Sequence, residues 1–389
     1  MILDSRRLAV ALCGFCAFLD LYATQALLPL FAREFRASAA AVSLTVSATT
    51  FAVALVAPFV GAVADVLGRK RIIMGATFLL AVPTALLAAA ASLDQLVAGR
   101  FVQGLLLPPI FAVTVAYIGE EWPVDEIPAV TGLYIAGSGL GGFLGRFLTG
   151  LVSEVWSWRE AFLALAAINL VCATAVALLL PGERRFVRAA GLSGSFRMML
   201  RHATDPRLLA TFTVGFSVLF SFVASFTYVS FYLAAPPFGL STAALGSIFV
   251  VYLVGVVVSP GAGRLMSRLG RRLLVLVAVG SWSIGLLLTL LPSLAVVIAG
   301  LAIAAASGFV FQTCATSFLV AAATQARSSA VGLYLTCYYI GGSVGGILPA
   351  PAWEAAGWPG CVALVIAILV GAGALVLRFW REPAAAPGS

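Results

Sequence analysis

Asp20 is the only carboxylate set deep inside a long apolar run of this chain, in the segment 8–31. An ionisable group in lipid is costly to insert, so an intramembrane acid is a functional candidate by default. Burial favours its neutral form and a nearby cation favours its charged form, the balance a proton-exchanging group needs. At helical spacing Cys13, Cys16, Asp20 and Thr24 share one face. A second apolar run opens with Leu96-Val-Ala-Gly-Arg100-Phe-Val-Gln103-Gly104. An arginine in the membrane costs at least about 2.5–3.5 kcal/mol on insertion scales. Asp20, Gln25, Arg100 and Gln103 are therefore the candidate proton and substrate pathway. The plainer accounts are a structural hydrogen bond for Asp20 and a snorkelling side chain for Arg100.

Gly132 to Arg146 is rich in glycine, and Gly137, Gly141 and Gly145 fall on one face, the pattern of close helix contact. Arg146 follows them, either lining a cavity or snorkelling outward. Ser217, Ser221 and Ser225 recur at four-residue steps among Phe216, Phe220, Phe222, Phe226, Tyr228 and Tyr232, and a later run adds Phe309, Phe311 and Gln312. With Arg146, Tyr228 and Gln312 as polar points, an aromatic cavity of this kind would suit a lipophilic or amphipathic substrate. Lipid-facing aromatics and serine packing explain the same residues equally well. Cys13 and Cys16 form a CxxC with no second ligand pair nearby, so packing is the expected role. The one histidine, His202, is expected in a solvated loop.

Between two apolar runs stands Gly61-Ala-Val-Ala-Asp65-Val-Leu-Gly68-Arg69-Lys70-Arg71. A positive-inside loop accounts for the basic triplet but not for Asp65 or the two glycines. The loop after the fourth run holds Glu120, Glu121, Asp125 and Glu126. Pairing of Arg69 with Glu120 or Glu121 when that side is shut would make a gate of Gly61, Asp65, Gly68, Arg69 and Glu120. An exposed pair contributes only about 0–1 kcal/mol, which suits a gate that must open.

Enzyme chemistry has little to work with. There is no HExxH, no nucleophile elbow and no cluster of metal ligands, and the sole lysine, Lys70, lies outside any Walker A loop. No metal or cofactor is expected, and an ion gradient is left as the energy source. The net charge of +8 is spread in short clusters between apolar runs, which argues against nucleic acid and for membrane topology.

The elements that must position these residues are membrane spans. Of 389 residues 62% are hydrophobic and 10% charged, and mean hydropathy is +1.09; soluble chains carry about 25% charged residues. Apolar stretches long enough to cross a bilayer fall at 8–31, 40–63, 72–91, 95–118, 128–152, 159–180, 208–233, 242–263, 273–291, 294–322, 330–350 and 360–379. Runs this long favour helices over closed strands. With both termini cytoplasmic, Arg33, Arg36 and Arg159 alone fall on the outside, while Arg100 and Arg146 stay within the membrane. The expected domains are a six-helix bundle over 1–181, a basic linker over 182–206 and a second bundle over 207–389.

A shift of 200 residues lays Gly132-Leu-Tyr134 on Gly332-Leu-Tyr334, Gly141-Gly142 on Gly341-Gly342, Gly145 on Gly345 and Trp158 on Trp358. Six spans per copy keep both copies in the same orientation. Parallel repeats of this kind place a binding site between them near the midplane.

The loop at Gly61–Arg71 resembles the signature loop of the major facilitator superfamily, with Val66 where that family usually has a basic residue. The matching loop from Gly261 to Arg272 has Ser267 where the repeat calls for an acid. The Arg100-Phe-Val-Gln103-Gly104 run resembles the family's fourth-helix motif, whose arginine is tied to proton transfer. The fifth run looks like the antiporter motif without its Gly-Pro pair. GLYIAGSGLGGFLGR, SWREAFLALAAI and GLYLTCYYIGGSVGG carry a likeness to the bacterial YnfM-type branch, grouped with arabinose-efflux and drug:proton antiporters. The resemblance implies two pseudo-symmetric six-helix bundles, a cavity lined by helices 1, 4, 7 and 10, and a monomer in the bacterial inner membrane. It implies export of a small molecule against protons; sodium in place of protons is the alternative coupling ion. Uptake of a sugar or organic anion is the alternative within transport, and a non-transporting receptor is the alternative outside it.

Overall fold

The computed structural model describes residues 4–183, 202, 204–323 and 327–380. Most of the segment expected as a linker, with Arg184, Arg185, Arg188, Arg197 and Arg201, lies outside them. Among the described residues there is no strand, and twelve helices are long and apolar enough to span. They are α1 (Ser5–Glu34, interrupted), α2 (Ala39–Leu67), α3 (Arg69–Leu87), α4 (Leu93–Glu121), α5 (Ile127–Val155), α6 (Trp158–Leu179), α7 (Pro206–Ala234), α8 (Thr242–Leu269, interrupted), α9 (Arg271–Leu288), α10 (Leu294–Ala322), α11 (Arg327–Ile347) and α12 (Ala350–Phe379). Below, the near end of the bundle is the one where α1 begins, and the far end is the one where α1 ends.

Three spans depart from the continuous runs read from the sequence. The first is helical over Ser5–Leu21, turns through a short 3-10 segment at Gln25–Leu27 and resumes over Leu28–Glu34. Pro29 is the physical reason: it brings no N–H to the carbonyl four residues back and its ring crowds that position. The eighth span breaks at Phe249–Val250, where Tyr252 N–H bonds to Phe249 O and Leu253 N–H to Val250 O. The twelfth starts at Ala350, well before 360, and kinks at Gly357 (φ 62°).

Serines at the far end start several spans by bonding an orphan N–H: Ser38 to Ala41, Ser92 to Gln95, Ser157 to Arg159 and Ser241 to Ala244. At the near end the turn from α2 to α3 is a single residue, Gly68 at φ 92°, and its repeat mate from α8 to α9 is Gly270 at φ 76°. Only glycine enters that region without strain, which explains a glycine in both copies of the loop.

The repeat is structural. A Cβ on Gly137, Gly141 or Gly145 of α5 would strike the carbonyl oxygens of Ala11, Phe15 and Leu19 on α1. One on Gly341 or Gly345 of α11 would strike those of Phe216 and Phe220 on α7. Each half thus carries the same backbone-to-backbone seam at the same place.

The halves meet at the far end. Gln25 Nε2 donates to Thr227 Oγ1 at 3.2 Å, and Ala243 N–H to a Glu154 carboxylate oxygen at 2.8 Å. Gly246 packs on the Arg146 backbone, Gly150 on Thr242 and Gly346 on Ser47. At the near end Gly61, Gly261 and Gly263 have no atom within 4 Å of where a Cβ would stand. Among the described residues these hydrogen bonds between the halves lie at the far end.

Candidate functional site

Two polar centres lie inside the first half or at its inner face. The first surrounds Asp20, which is fully buried. Its carboxylate accepts from three neutral donors: Asn169 Nδ2 at 2.6 Å, Thr84 Oγ1 at 3.1 Å and Gln103 Nε2 at 3.1 Å. Gln103 Nε2 also reaches Thr84 Oγ1 at 2.7 Å, and Cys16 Sγ donates to Asn169 Oδ1 at 3.1 Å. The acid is therefore clasped by α3, α4 and α6, so the Cys13–Cys16–Asp20 face turns into the first bundle.

Arg100 is also fully buried, so it does not snorkel. Its guanidinium forms no ion pair with the Asp20 carboxylate. Arg100 Nη1 donates to the Asp20 main-chain oxygen at 2.7 Å, Nη2 to Leu21 O at 2.7 Å and Nε to Thr45 O at 3.1 Å. Nη1 also bonds to Gln103 Oε1 at 2.6 Å. The interruption leaves Leu21 O without a main-chain donor, whereas Asp20 O also accepts from the Ala23 N–H, and lipid offers no water to make up the difference. Arg100 supplies that donor and places its charge at the negative end of the first helical piece. Thr149 Oγ1 does the same for Ala23 O at 2.8 Å.

The second centre is Arg146, also buried. Its Nε donates to Gln25 Oε1 at 2.7 Å and Nη1 to Gly142 O at 2.5 Å, both neutral acceptors. Its guanidinium carbon lies 4.8 Å from the ring centroid of Tyr22, 4.7 Å from that of Phe249 and 4.9 Å from that of Tyr252. Among the described residues no carboxylate forms an ion pair with it. The second half contributes two of the three rings, so Arg146 bridges the halves just where both interrupted spans bend.

Above this point half-buried aromatics face the parting between the halves. Phe18, Tyr22, Tyr252, Phe309 and Tyr338 are all partly exposed. Phe18 meets Phe111 at 6.1 Å, and Phe111 stacks across the halves on Tyr339 at 5.7 Å. Tyr252 continues the wall to Phe226 and Phe309. The side of α1 that enters the cleft is thus Phe18 and Tyr22.

The remaining candidates sit as follows. Tyr228 is buried and donates to Gly346 O at 3.1 Å. Gln312 is half-buried and accepts from Tyr334 Oη at 2.9 Å. Arg69 binds both Glu120 oxygens and lies 2.9 Å from Asp65. Glu183 accepts from the Lys70 N–H beside Gly68. These contacts join α2, α3 and α4 within one half. His202 is buried, not solvated.

Sequence reading missed Tyr22, Thr84, Asn169, Phe249 and Tyr252. Asn169 alone gave a signal, a carboxamide in the middle of an otherwise apolar run. The aromatics gave none, because rings in lipid and rings around a cation look alike in sequence.

This architecture, two six-helix repeats meeting over a central parting, defines a polytopic transporter. The chain belongs to the Major Facilitator Superfamily, whose model matches residues 10–346 and, again, 235–389. It is similar to the inner membrane transport protein YnfM of Escherichia coli (34% identical, over 94% of this chain and 89% of that one). It is also similar to the uncharacterized transporter YybF of Bacillus subtilis (33%, 92% and 89%). Among solved structures it is similar to the nucleoside transporter NupG (TM-score 0.79, 15% identical, 96% of this chain and 100% of that one). A bacterial homolog of the human lysosomal transporter Spinster gives a TM-score of 0.76 at 17% identity over 97% and 98%. The protein is a multi-pass membrane transporter of a small molecule and not an enzyme.

Proposed function

We propose that the protein is a proton-coupled transporter that exports a small molecule across the bacterial inner membrane by alternating access, as a monomer with both termini cytoplasmic. The observation that carries the coupling is the Asp20 clasp: a fully buried carboxylate whose partners are all neutral. No cation forms an ion pair with it among the described residues, and Gln103 stands between it and the Arg100 guanidinium, so one proton can change its charge. The main-chain oxygens of Asp20 and Leu21 belong to the same break that leads to Gln25 and Arg146. Movement of that break with cargo would alter the surroundings of the acid.

With the termini cytoplasmic, the near end faces the cytoplasm, and the far end, where the halves bond to one another, faces outside. The basic residues of the near end support this orientation. The likeness to YnfM, named an inner membrane transport protein, supports the membrane assigned.

The test is cargo-induced proton movement in vesicles holding the wild type or Asp20→Asn, with cationic drugs, sugars and organic anions. A response that the substitution abolishes, with the fold intact, supports proton coupling through Asp20. A response indifferent to Asp20→Asn makes the clasp structural. A response that needs sodium instead of a proton gradient replaces the coupling ion.

One observation favours a second reading, uptake of an organic anion: Arg146 lies at the inner end of the cleft without an acidic partner. The sign of the flux in the same vesicles separates the two.

A further inference from the structure

Arg146 is a cation with no carboxylate of its own, at the closed end of an aromatic cleft. The other deep arginine, Arg100, is saturated by main-chain oxygens and by Gln103. Arg69 and Arg159 pair with acids at the ends of the spans, and Arg7 pairs with Glu126. Arg146 makes two hydrogen bonds to neutral acceptors and otherwise rests on ring faces. A guanidinium carries five N–H donors in a planar fork that matches a carboxylate or sulfonate. Rings partly offset the cost of a buried cation but accept no such bond.

The walls that lead to it are aromatic. Phe18, Tyr22, Tyr252, Phe309 and Tyr338 are half-buried and border the parting between the halves, with Phe111 stacked on Tyr339 across it. None of these wall residues is charged. A flat apolar body fits such walls, and its single anionic group would reach the fork of Arg146.

We propose that the cleft takes an amphipathic organic monoanion, an aromatic or similarly flat apolar body bearing one carboxylate or sulfonate, with Arg146 as the anion-binding residue and Tyr22 and Tyr252 flanking the bound group. The inference rests on the reading of this cleft as the transport site and names its cargo class. It holds for either direction of flux and for either coupling ion.

The experiment uses the full chain, purified in detergent, with three probes of nearly equal shape: 2-naphthoate, neutral 2-naphthamide and cationic 2-naphthylmethylamine. Thermal stabilisation reports binding, since a ligand that binds only the folded state raises Tm. The carboxylate is expected to bind the wild type about ten- to a hundredfold more tightly than the amide, the worth of a charge-assisted bond. That preference is expected to vanish in Arg146→Gln and to shrink in Arg146→Lys, which keeps the charge but not the fork. Equal binding of carboxylate and amide by the wild type, or no binding of the carboxylate, overturns the proposal without any variant. An unchanged preference in a folded Arg146→Gln also overturns it. Proton movement driven by the cationic probe through Asp20, with no carboxylate binding, would sink the cargo class and leave the coupling reading standing. Arg146-dependent naphthoate binding without proton movement would do the reverse.

Discussion

The guanidinium of Arg100 grips the main-chain oxygen of Asp20 at 2.7 Å, while the Asp20 carboxylate is left to Asn169, Thr84 and Gln103. Two charged residues that the sequence presents as a pair therefore work at different tasks. Arg100 holds the break in α1 in shape, and the carboxylate stays clear of a direct ion pair.

Arg100→Gln is therefore expected to destabilise the fold. The shorter neutral side chain leaves Leu21 O without its donor, while Asp20 O keeps the Ala23 N–H and Thr45 O keeps the Thr49 hydroxyl; an orphaned buried acceptor costs about 1–3 kcal/mol. The expected loss is about 1–3 kcal/mol, read as a lowered Tm of the purified protein and poorer expression. Arg100→Lys, with one compact head in place of a fork, should recover only part of it. A variant as stable as the wild type would mean the break is held by something else.

Much of the fold was legible because bilayer thickness and hydrogen-bond satisfaction leave few options for runs this apolar. The repeat was legible as well, since a seam of bare carbonyls against glycine recurs at Gly141 and Gly341 and at Gly145 and Gly345. The site was legible in its charged members and two of its carboxamides. Asp20, Arg100 and Arg146 stood out because lipid penalises them, with Gln25 and Gln103 beside them, but Tyr22, Thr84, Phe249 and Tyr252 did not. Tyr22, Phe249 and Tyr252 come together through two helix breaks, and no local pattern in the sequence signals that α1 and α8 bend at the same depth. Pro29 marked one break, and the second has no proline beside it.

The glycine seam yields a paired test. In Gly145→Ala the new methyl meets the main chain of Leu19, which cannot move aside as a side chain would. The expected cost is about 1–3 kcal/mol, the range for overpacking. Gly132→Ala lies on the same helix with nothing within 4 Å, and should be neutral or gain up to about 1 kcal/mol from the stiffer unfolded chain. Thermal unfolding of both in one detergent checks the contrast. Equal effects would refute the seam.

Arg69 gives a smaller effect. Its side chain is 10% exposed, against 40% for Glu120 and 36% for Asp65, so water screens much of the attraction. Arg69→Ala should lower stability by about 1 kcal/mol or less. Because all three residues belong to one half, it should leave the balance between far-end-closed and far-end-open states unchanged. A large shift in that balance, measured as distances between spin labels on the two halves, would make the loop a gate.

The contact that should move the balance is Arg146 with Phe249, 4.7 Å from guanidinium carbon to ring centroid and carried by opposite halves. A desolvated contact of this kind contributes about 0.5–2 kcal/mol. Phe249→Leu keeps an apolar side chain on α8 but removes the ring face, so the closed far end should lose about 1 kcal/mol relative to the open one. That is roughly a fivefold change in the ratio of the two states. Gln25 with Thr227 and Ala243 with Glu154 remain to hold the same end, so closure weakens rather than fails. Spin labels at Val155→Cys and Ala235→Cys, both exposed at the far end, would report it as a growing long-distance population. A Cys337→Ala background suits the measurement, since the other native thiols are buried. A distance distribution indifferent to Phe249→Leu would show that the backbone contacts of Gly246 and Gly150 close the far end without help from the cation.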